Sequence, residues 1–466
     1  MPTRRKVLAG IGAGALITPI ASPVTVFAET GIQVLKAGKT RQQVAPANYD
    51  PTELWTFGES MPGPVLRGAQ GSTLQVRVEN GLDQPTSVHW HGLRLDNAMD
   101  GVPGLTQDAI PPGGSFDYAL KLPDAGTYWY HSHAQSVEQV ERGLYGALIV
   151  DETEGAPQVD QDLVLVLDDM RLTREAQLAE PFDNPHDRSH SGRIGNLWIC
   201  NGEMDPAYPV NRGDRLRLRL ISAANARIFT LGLEGFEAWI VALDGMPLAE
   251  PEPLGDQLVL APAQRVDVIA DVTSEADEAF VVTYEQDGGY AIATFPISGA
   301  QQARRPRPLA LPPNPEFPID LAKARTAKLL MEGGAMGGLQ GALLQGEMLG
   351  PRELAMRNVF WAFNGVAHDA AYHGDHEPLL DLALGESARI AIANDTVFAH
   401  AMHLHGMHFS EVLPDGTLGP LRDTLLVEPQ SFREIAFAAH NPGNWLFHCH
   451  MLSHHAAGMG TWVRVG

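Results

Sequence analysis

Cysteine is nearly absent, with two residues in a chain of 466, so no disulfide framework can hold the fold. Cations are scarce as well: 33 Lys plus Arg face 56 Asp plus Glu, a formal charge of −23. A polyanion such as nucleic acid would be repelled rather than neutralised, which argues against it as a partner. No apolar run approaches the roughly 20 residues that a membrane-spanning helix needs. Charged residues are only 19% and hydrophobic ones 44%, a balance that excludes a disordered chain. What the chain does hold is 47 Gly and 34 Pro, the residues of turns, and 18 His. With so few thiols, that many imidazoles point to metal binding rather than cross-linking. At about 100 to 200 residues per domain, the length predicts three domains, each able to bury its own core.

The first residues read as an address. Thr3-Arg4-Arg5-Lys6 precedes the weakly polar run Val7 to Ile20, and Val26-Phe27-Ala28 offers small residues for cleavage before Glu29. Glycines at 10, 12 and 14 and prolines at 19 and 23 oppose a stable helix. The paired arginines resemble a twin-arginine signal, which implies residues 1–28 as a signal peptide, export by the twin-arginine machinery and a bacterial periplasmic location without a stable membrane anchor.

One unit occurs three times. Gly71 is followed by Leu74, Val76 and Val78, Gly213 by Leu216, Leu218 and Leu220, and Gly385 by Ala388, Ile390 and Ile392, at the same offsets. Apolar residues of period two after a turn glycine make a half-buried strand. The copies next read His89/His91, Leu231/Leu233 and His403/His405, so the first and third carry a site and the second does not. Short strands with frequent Gly, Pro and Asn turns predict an all-β chain of three Greek-key β-sandwiches. The expected divisions are 29–155, 156–300, a Pro-rich linker 301–320 (densest from Arg304 to Pro318) and 321–466. The middle copy reads as a spacer. Residues 331–348 form a Gly-rich segment with Met331, Met336 and Met348, and Met356 follows.

In a strand, residues i and i+2 face the same side, so a His-x-His pair presents two imidazoles to one point. Four such pairs occur: His89/His91, His131/His133, His403/His405 and His448/His450. Eight imidazoles exceed what one metal takes, which suggests a polynuclear cluster. Cys449 lies between His448 and His450, so its side chain leaves the opposite face and serves a second site. His454 and Met459 follow it and His400 precedes His403. A thiolate, two imidazoles and a weak thioether are the ligand set of a blue-copper electron-transfer centre. Cys200, in the metal-free copy, reads as a buried small hydrophobe.

Taken together, His89-Trp-His91-Gly, Tyr130-His131-Ser-His133, His400-Ala-Met-His403-Leu-His405-Gly and His448-Cys449-His450 with His454 and Met459 resemble the four copper motifs of multicopper oxidases, over the chain from about residue 45 onward. The resemblance implies three cupredoxin domains and four coppers. His400, Cys449, His454 and Met459 would hold the type 1 copper, and His89 and His403 the type 2 copper. His91, His131, His133, His405, His448 and His450 would hold the type 3 pair. It implies four one-electron oxidations of a donor at the type 1 site, with O2 reduced to two waters at the other three coppers. Cys449 would be the electron relay, and the third domain would fold back on the first. Asp100 resembles the family's acidic proton donor, with a turn aspartate before Gly101 as the other reading. His455 stands where many bacterial members carry a second acid.

Two donors fit that chemistry: phenols or aromatic amines, as for laccases, and Cu(I), as for copper-efflux oxidases. The methionines favour Cu(I), since thioethers select it. Against it, Thr396 and Phe398 stand where cuprous oxidases place Asp and Met, and Asp395 is one position off. His368, His373 and His376 read as a solvated loop that could also catch metal. A copper-free scaffold of the same fold is the alternative from another class, but it would have lost its ligands, and all twelve are present. Copper nitrite reductases have two domains per chain and lack type 3 histidines.

Overall fold

The structure, a computed structural model, describes residues 31–300, 302–369 and 376–466. The expected signal at 1–28 and His373 therefore lie outside the described residues. Among those described, no helix is long and apolar enough to cross a membrane.

The three repeated strands are Thr73–Asn80, Arg215–Ser222 and Ser387–Asn394, and each occupies the same place. Each pairs in parallel with the strand that opens its unit: Gln33–Gln42, Gln161–Met170 and Arg325–Gly333. Each pairs antiparallel on its other side with Ser115–Lys121, Arg265–Val272 and Ser431–Ala438. The period-two residues face inward as the pattern requires: Val76, Leu218 and Ile390 are all buried. Each unit adds a second sheet. In the first unit it holds Gly126–His131 and His89–His91, and in the third Gly443–Cys449 and His400–Leu404. Apolar faces of both sheets meet in one core, as in the middle unit, where Leu216, Leu218 and Val268 pack with Leu231, Val281 and Phe295. Burying these faces against each other is the main stabilising term, at about 25 cal/mol per Å² of apolar area. This is the cupredoxin-like architecture.

The cores of the first and third units are continuous, with Trp90 and Tyr130 in the same cluster as Phe447 and Trp445. Residues 302–324 form no strand or helix, and they are pinned. Buried Asn314 donates from Nδ2 to the Ala125 and Gly245 carbonyls (2.8 and 3.3 Å) and accepts from the Ala125 N–H (2.9 Å).

Within the Gly-rich segment, Met331 lies buried in Arg325–Gly333, paired with Asn394, whereas Met336 and Met348 are 75% and 70% exposed. One expectation needs correction. His368 is 2% exposed rather than solvated, with its ring 5.9 Å from that of His455 and 5.3 Å from that of His376. Period and composition do not reveal whether a loop is covered by another part of the fold.

Charged groups are buried between the first and middle units. Tyr145 Oη–H donates to Asp168 Oδ2 (2.7 Å), and Glu141 faces Arg193 (3.0 Å). Burial, with the charges of Asp169 and Glu141, pushes Asp168 well above the carboxylate range. Burial likewise pushes Glu141 to about 7, against the pull of Arg193. A carboxyl whose folded value is raised holds its proton longer in the native state, so its contribution to stability falls as pH rises above its unfolded value. Asp168→Asn removes that dependence while keeping an acceptor for Tyr145. Its thermal midpoint relative to the parent should therefore rise steadily between pH 5 and pH 8, and a difference that stays constant with pH would contradict this account.

Candidate metal centres

Strand pairing brings the His-x-His motifs together. His89 lies opposite His131, and His403 opposite His448. The first and third units then interleave their rings: His89 stacks on His405 at 3.9 Å and His91 on His403 at 3.7 Å between centroids. All eight imidazoles are buried. The nitrogens of His89, His403 and His405 lie within 4.8 Å of one another, as do those of His89, His91 and His131 and those of His133, His405 and His448.

Most of these rings are oriented by one nitrogen, which leaves the other for a ligand. The Nδ1–H groups of His89 and His403 donate to the carbonyls of Asp100 (2.8 Å) and Asp423 (2.9 Å). Those of His131 and His448 donate to the carbonyls of Ser132 and Cys449, both at 3.0 Å, and that of His405 to Asp100 Oδ2 at 2.9 Å. Each Nε2 thus keeps its lone pair. Two of these, His405 and His448, face each other at 3.1 Å, and His131 Nε2 faces His450 Nε2 at 3.3 Å, where His450 Nδ1 is buried with no partner among the described residues. His89 Nε2 and His403 Nε2 are buried with no partner among the described residues. His91 is reversed: its Nε2–H points to Asp423 Oδ1 (3.1 Å) and its Nδ1 is left bare. Burial and the neighbouring imidazoles push His91, His131, His133, His405, His448 and His450 well below the ordinary histidine range, so they are neutral and ready to ligate. Converging lone pairs with no proton between them are unfavourable unless a cation accepts them, and neutral imidazole suits copper. The residues fit the metal.

Asp100 is no surface turn residue: it is 1% exposed, and besides receiving His405 its Oδ1 lies 3.3 Å from His89 Nδ1.

Cys449 faces away from the cluster, as its position in the strand predicts. Its Sγ lies 3.6 Å from His400 Nδ1 and 3.8 Å from His454 Nδ1, and those two nitrogens are 3.1 Å apart. Both rings are again oriented from their far side: His400 Nε2–H donates to Thr396 Oγ1 (2.9 Å) and His454 Nε2–H to the His190 carbonyl (2.6 Å). Burial pushes the Cys449 thiol up to about 12, so a cation is needed to hold the thiolate. Met459 is buried and its carbonyl accepts the Cys449 N–H at 3.1 Å. His455 is buried beside the cluster, 4.3 Å from the His448 ring. Cys200 is buried in the middle unit near Tyr208 Oη (3.9 Å), as expected of a small hydrophobe.

The middle unit, expected as a spacer, contributes directly. Arg265 holds Asp423 through both oxygens, Nη1 to Oδ1 at 2.9 Å and Nη2 to Oδ2 at 2.6 Å. It also donates to the Thr127 carbonyl of the first unit (3.2 Å). Asp423 in turn orients His91 through its carboxylate and His403 through its carbonyl. Asp244 Oδ2 receives the N–H groups of Asp423 and Thr424 (3.3 and 3.2 Å). Burial would raise Asp423, but the charge of Arg265 and the adjacent imidazoles hold it well below the carboxylate range. Burial and the charge of Asp423 instead raise Asp244 to about 6. Gly92, at φ +88°, leaves the space for this pair, since a Cβ there would lie 2.7 Å from Asp423 Oδ2. Sequence reasoning missed Arg265, Asp244 and Asp423, because nothing local marks which buried charges meet.

Three cupredoxin-like units with a buried thiol site beside an imidazole cluster define a copper-dependent oxidoreductase. The chain belongs to the multicopper oxidase family, whose domain models match residues 39–155, 167–300 and 348–466. It is 30% identical over 435 residues to the multicopper oxidase MmcO of Mycobacterium tuberculosis, covering 87% of this chain and 82% of that protein. Among solved structures, a multi-copper oxidase from Pseudomonas thermotolerans superposes with a TM-score of 0.82 at 31% identity, covering 94% of this chain and all of that one. Lac15 from a marine microbial metagenome is 42% identical, with a TM-score of 0.75 over 93% of this chain and all of that one. The cofactor is copper, and the protein is an oxidase that takes O2 and a reducing donor.

Removing one partner of a buried ion pair leaves an uncompensated charge and costs about 3 to 5 kcal/mol. Arg265→Ala should lower the denaturation free energy by that amount and speed copper loss to a chelator. A loss below about 1 kcal/mol, the range of a surface pair, would mean that the pair does not hold the units together.

Proposed function

We propose that this oxidase takes electrons one at a time at the site of His400, Cys449, His454 and Met459 and passes them to O2 at the eight-imidazole cluster. His89 and His403 serve as type 2 ligands, and His91, His131, His133, His405, His448 and His450 as type 3 ligands. Copper bound at the two sites supplies one-electron acceptance beside the thiolate and the four-electron reduction of O2 to two waters at the cluster. The observation that carries the assignment is the set of bare nitrogens: in both sites the far side of the oriented rings is tied up and the near side converges.

The remaining work belongs to the chain. Cys449 lies between His448 and His450, so an electron leaving its sulfur reaches a cluster ligand through the atoms of a single residue step. Asp100 binds both His405 and His89 and is the carboxyl placed to deliver the protons that water formation consumes. Asp423 keeps His91 and His403 turned inward. Burial of every ligand excludes bulk water, so partly reduced oxygen has no ready exit. We further propose cupredoxin domains at 29–155, 156–300 and 321–466 joined by 301–320. They are preceded by a twin-arginine signal at 1–28 that directs the folded protein to the periplasm.

Metal analysis with a spectrum tests this reading. Reconstituted protein should hold four coppers, with a thiolate-to-copper band in the visible and a type 3 shoulder in the near ultraviolet; fewer than two coppers would eliminate it. Cys449→Ser should lose the visible band and turnover on every donor while keeping the fold. Asp100→Asn should slow reoxidation by O2 far more than reduction by donor, and equal slowing of both half-reactions would remove Asp100 from the proton path.

A further inference from the structure

The two sites hold their rings by different means. At the cluster carboxylates take part, with Asp100 receiving His405 and Asp423 receiving His91. At the Cys449 site both outer partners are neutral: the Thr396 hydroxyl for His400 and the His190 carbonyl for His454. Burial depresses these two rings, and among the described residues no carboxylate or guanidinium acts on either.

The turn that carries Thr396 does not need its hydroxyl. Ser387–Asn394 ends on Asn394, whose Oδ1 accepts the Thr396 N–H (3.0 Å) and whose Nδ2 donates to the Phe398 carbonyl four residues on (2.8 Å). The first unit makes the same turn with an apolar residue. Asn80 ends Thr73–Asn80, its Oδ1 accepts the Leu82 N–H (2.9 Å), and its Nδ2 donates to the Gln84 carbonyl (2.9 Å). Leu82 thus holds the place of Thr396 and Thr86 the place of His400, so the first unit has no ring there to support. The hydroxyl accompanies the metal site and not the fold.

Its hydrogen bonds are complete. Thr396 Oγ1 accepts the His400 Nε2–H and the Phe398 N–H (2.9 and 3.2 Å) and donates to Asn394 Oδ1 (2.7 Å), which fills two acceptor sites and one donor. Thr396 and Asn394 are both buried, so bulk water does not take the place of either. The partner of the outer nitrogen governs how strongly a ligating imidazole donates to its metal. A carboxylate there would add negative charge beside the copper and favour Cu(II), whereas a hydroxyl tied to an amide adds none.

We propose that Thr396 is a positioning residue that turns His400 toward the Cys449 site while keeping its surroundings uncharged, and so holds the reduction potential of copper bound there high. This rests on the oxidase reading above and specifies its donors. A strong one-electron oxidant accepts electrons from weak reductants, and with His400 and His454 both 0% exposed donors are selected by potential and not by contact with a ligand.

The test is a potentiometric titration of the visible band at pH 8 in the copper-loaded parent, Thr396→Asp, Thr396→Val and Thr396→Ser, with the rate at which each loses that band to EDTA. In Thr396→Asp the equilibrium constant for reduction by a one-electron mediator should fall at least ten-fold, a drop of about 59 mV, with the band retained. Thr396→Val should keep a potential at or above the parent's but lose the band at least ten-fold faster, and Thr396→Ser should match the parent in both. An equilibrium constant within two-fold of the parent's in Thr396→Asp would overturn the proposal. Should that variant not fold, a lowered potential or unchanged copper retention in Thr396→Val overturns it alone. A parent that shows no visible band after reconstitution would instead overturn the oxidase reading.

Discussion

The contact between Arg265 and Asp423 is the constraint on which the rest of the structure depends. A carboxylate buried to 0% exposure is tolerable only with a cation and hydrogen bonds around it, and Arg265, Thr424, His91 and His403 provide them. Because these residues come from all three units, the electrostatic demand of one side chain fixes where the units sit. Asp423 could not remain ionised in that place if the middle unit were elsewhere. The cluster's geometry is thus a consequence of domain arrangement, and the unit without metal ligands is part of its scaffold.

The same logic runs through both sites. Backbone carbonyls, two carboxylates and one threonine hydroxyl each take a ring N–H, and the opposite nitrogens converge. Neutral imidazoles packed this closely repel a proton as strongly as they attract a metal, which is why burial and mutual proximity depress so many of them at once. Without a cation the thiol of Cys449 stays protonated, so metal binding and thiolate formation are one event.

Much of this was legible from the residues. Period two in Thr73–Asn80 and its two counterparts located equivalent strands, and the His-x-His spacing located eight inward-facing rings. The position of Cys449 between two histidines separated the second site from the first. What failed was anything set by long-range packing. Arg265 and Asp423 are 158 residues apart and Asp244 and Asp423 are 179, so no local pattern pairs them. The middle copy was read as a spacer because its histidines are missing, although its contribution is a guanidinium. Composition places His368 in an open loop, yet it is enclosed beside His455.

Asn314 carries a consequence for assembly. It anchors the segment leading into the third unit at the seam between the first two, so the half-cluster borne by His403, His405, His448 and His450 is delivered on a short leash to its complement. Docking of the two halves is therefore an intramolecular closure with a high effective concentration, largely independent of how dilute the protein is. Copper then meets a nest whose walls have already come together, rather than having to recruit them.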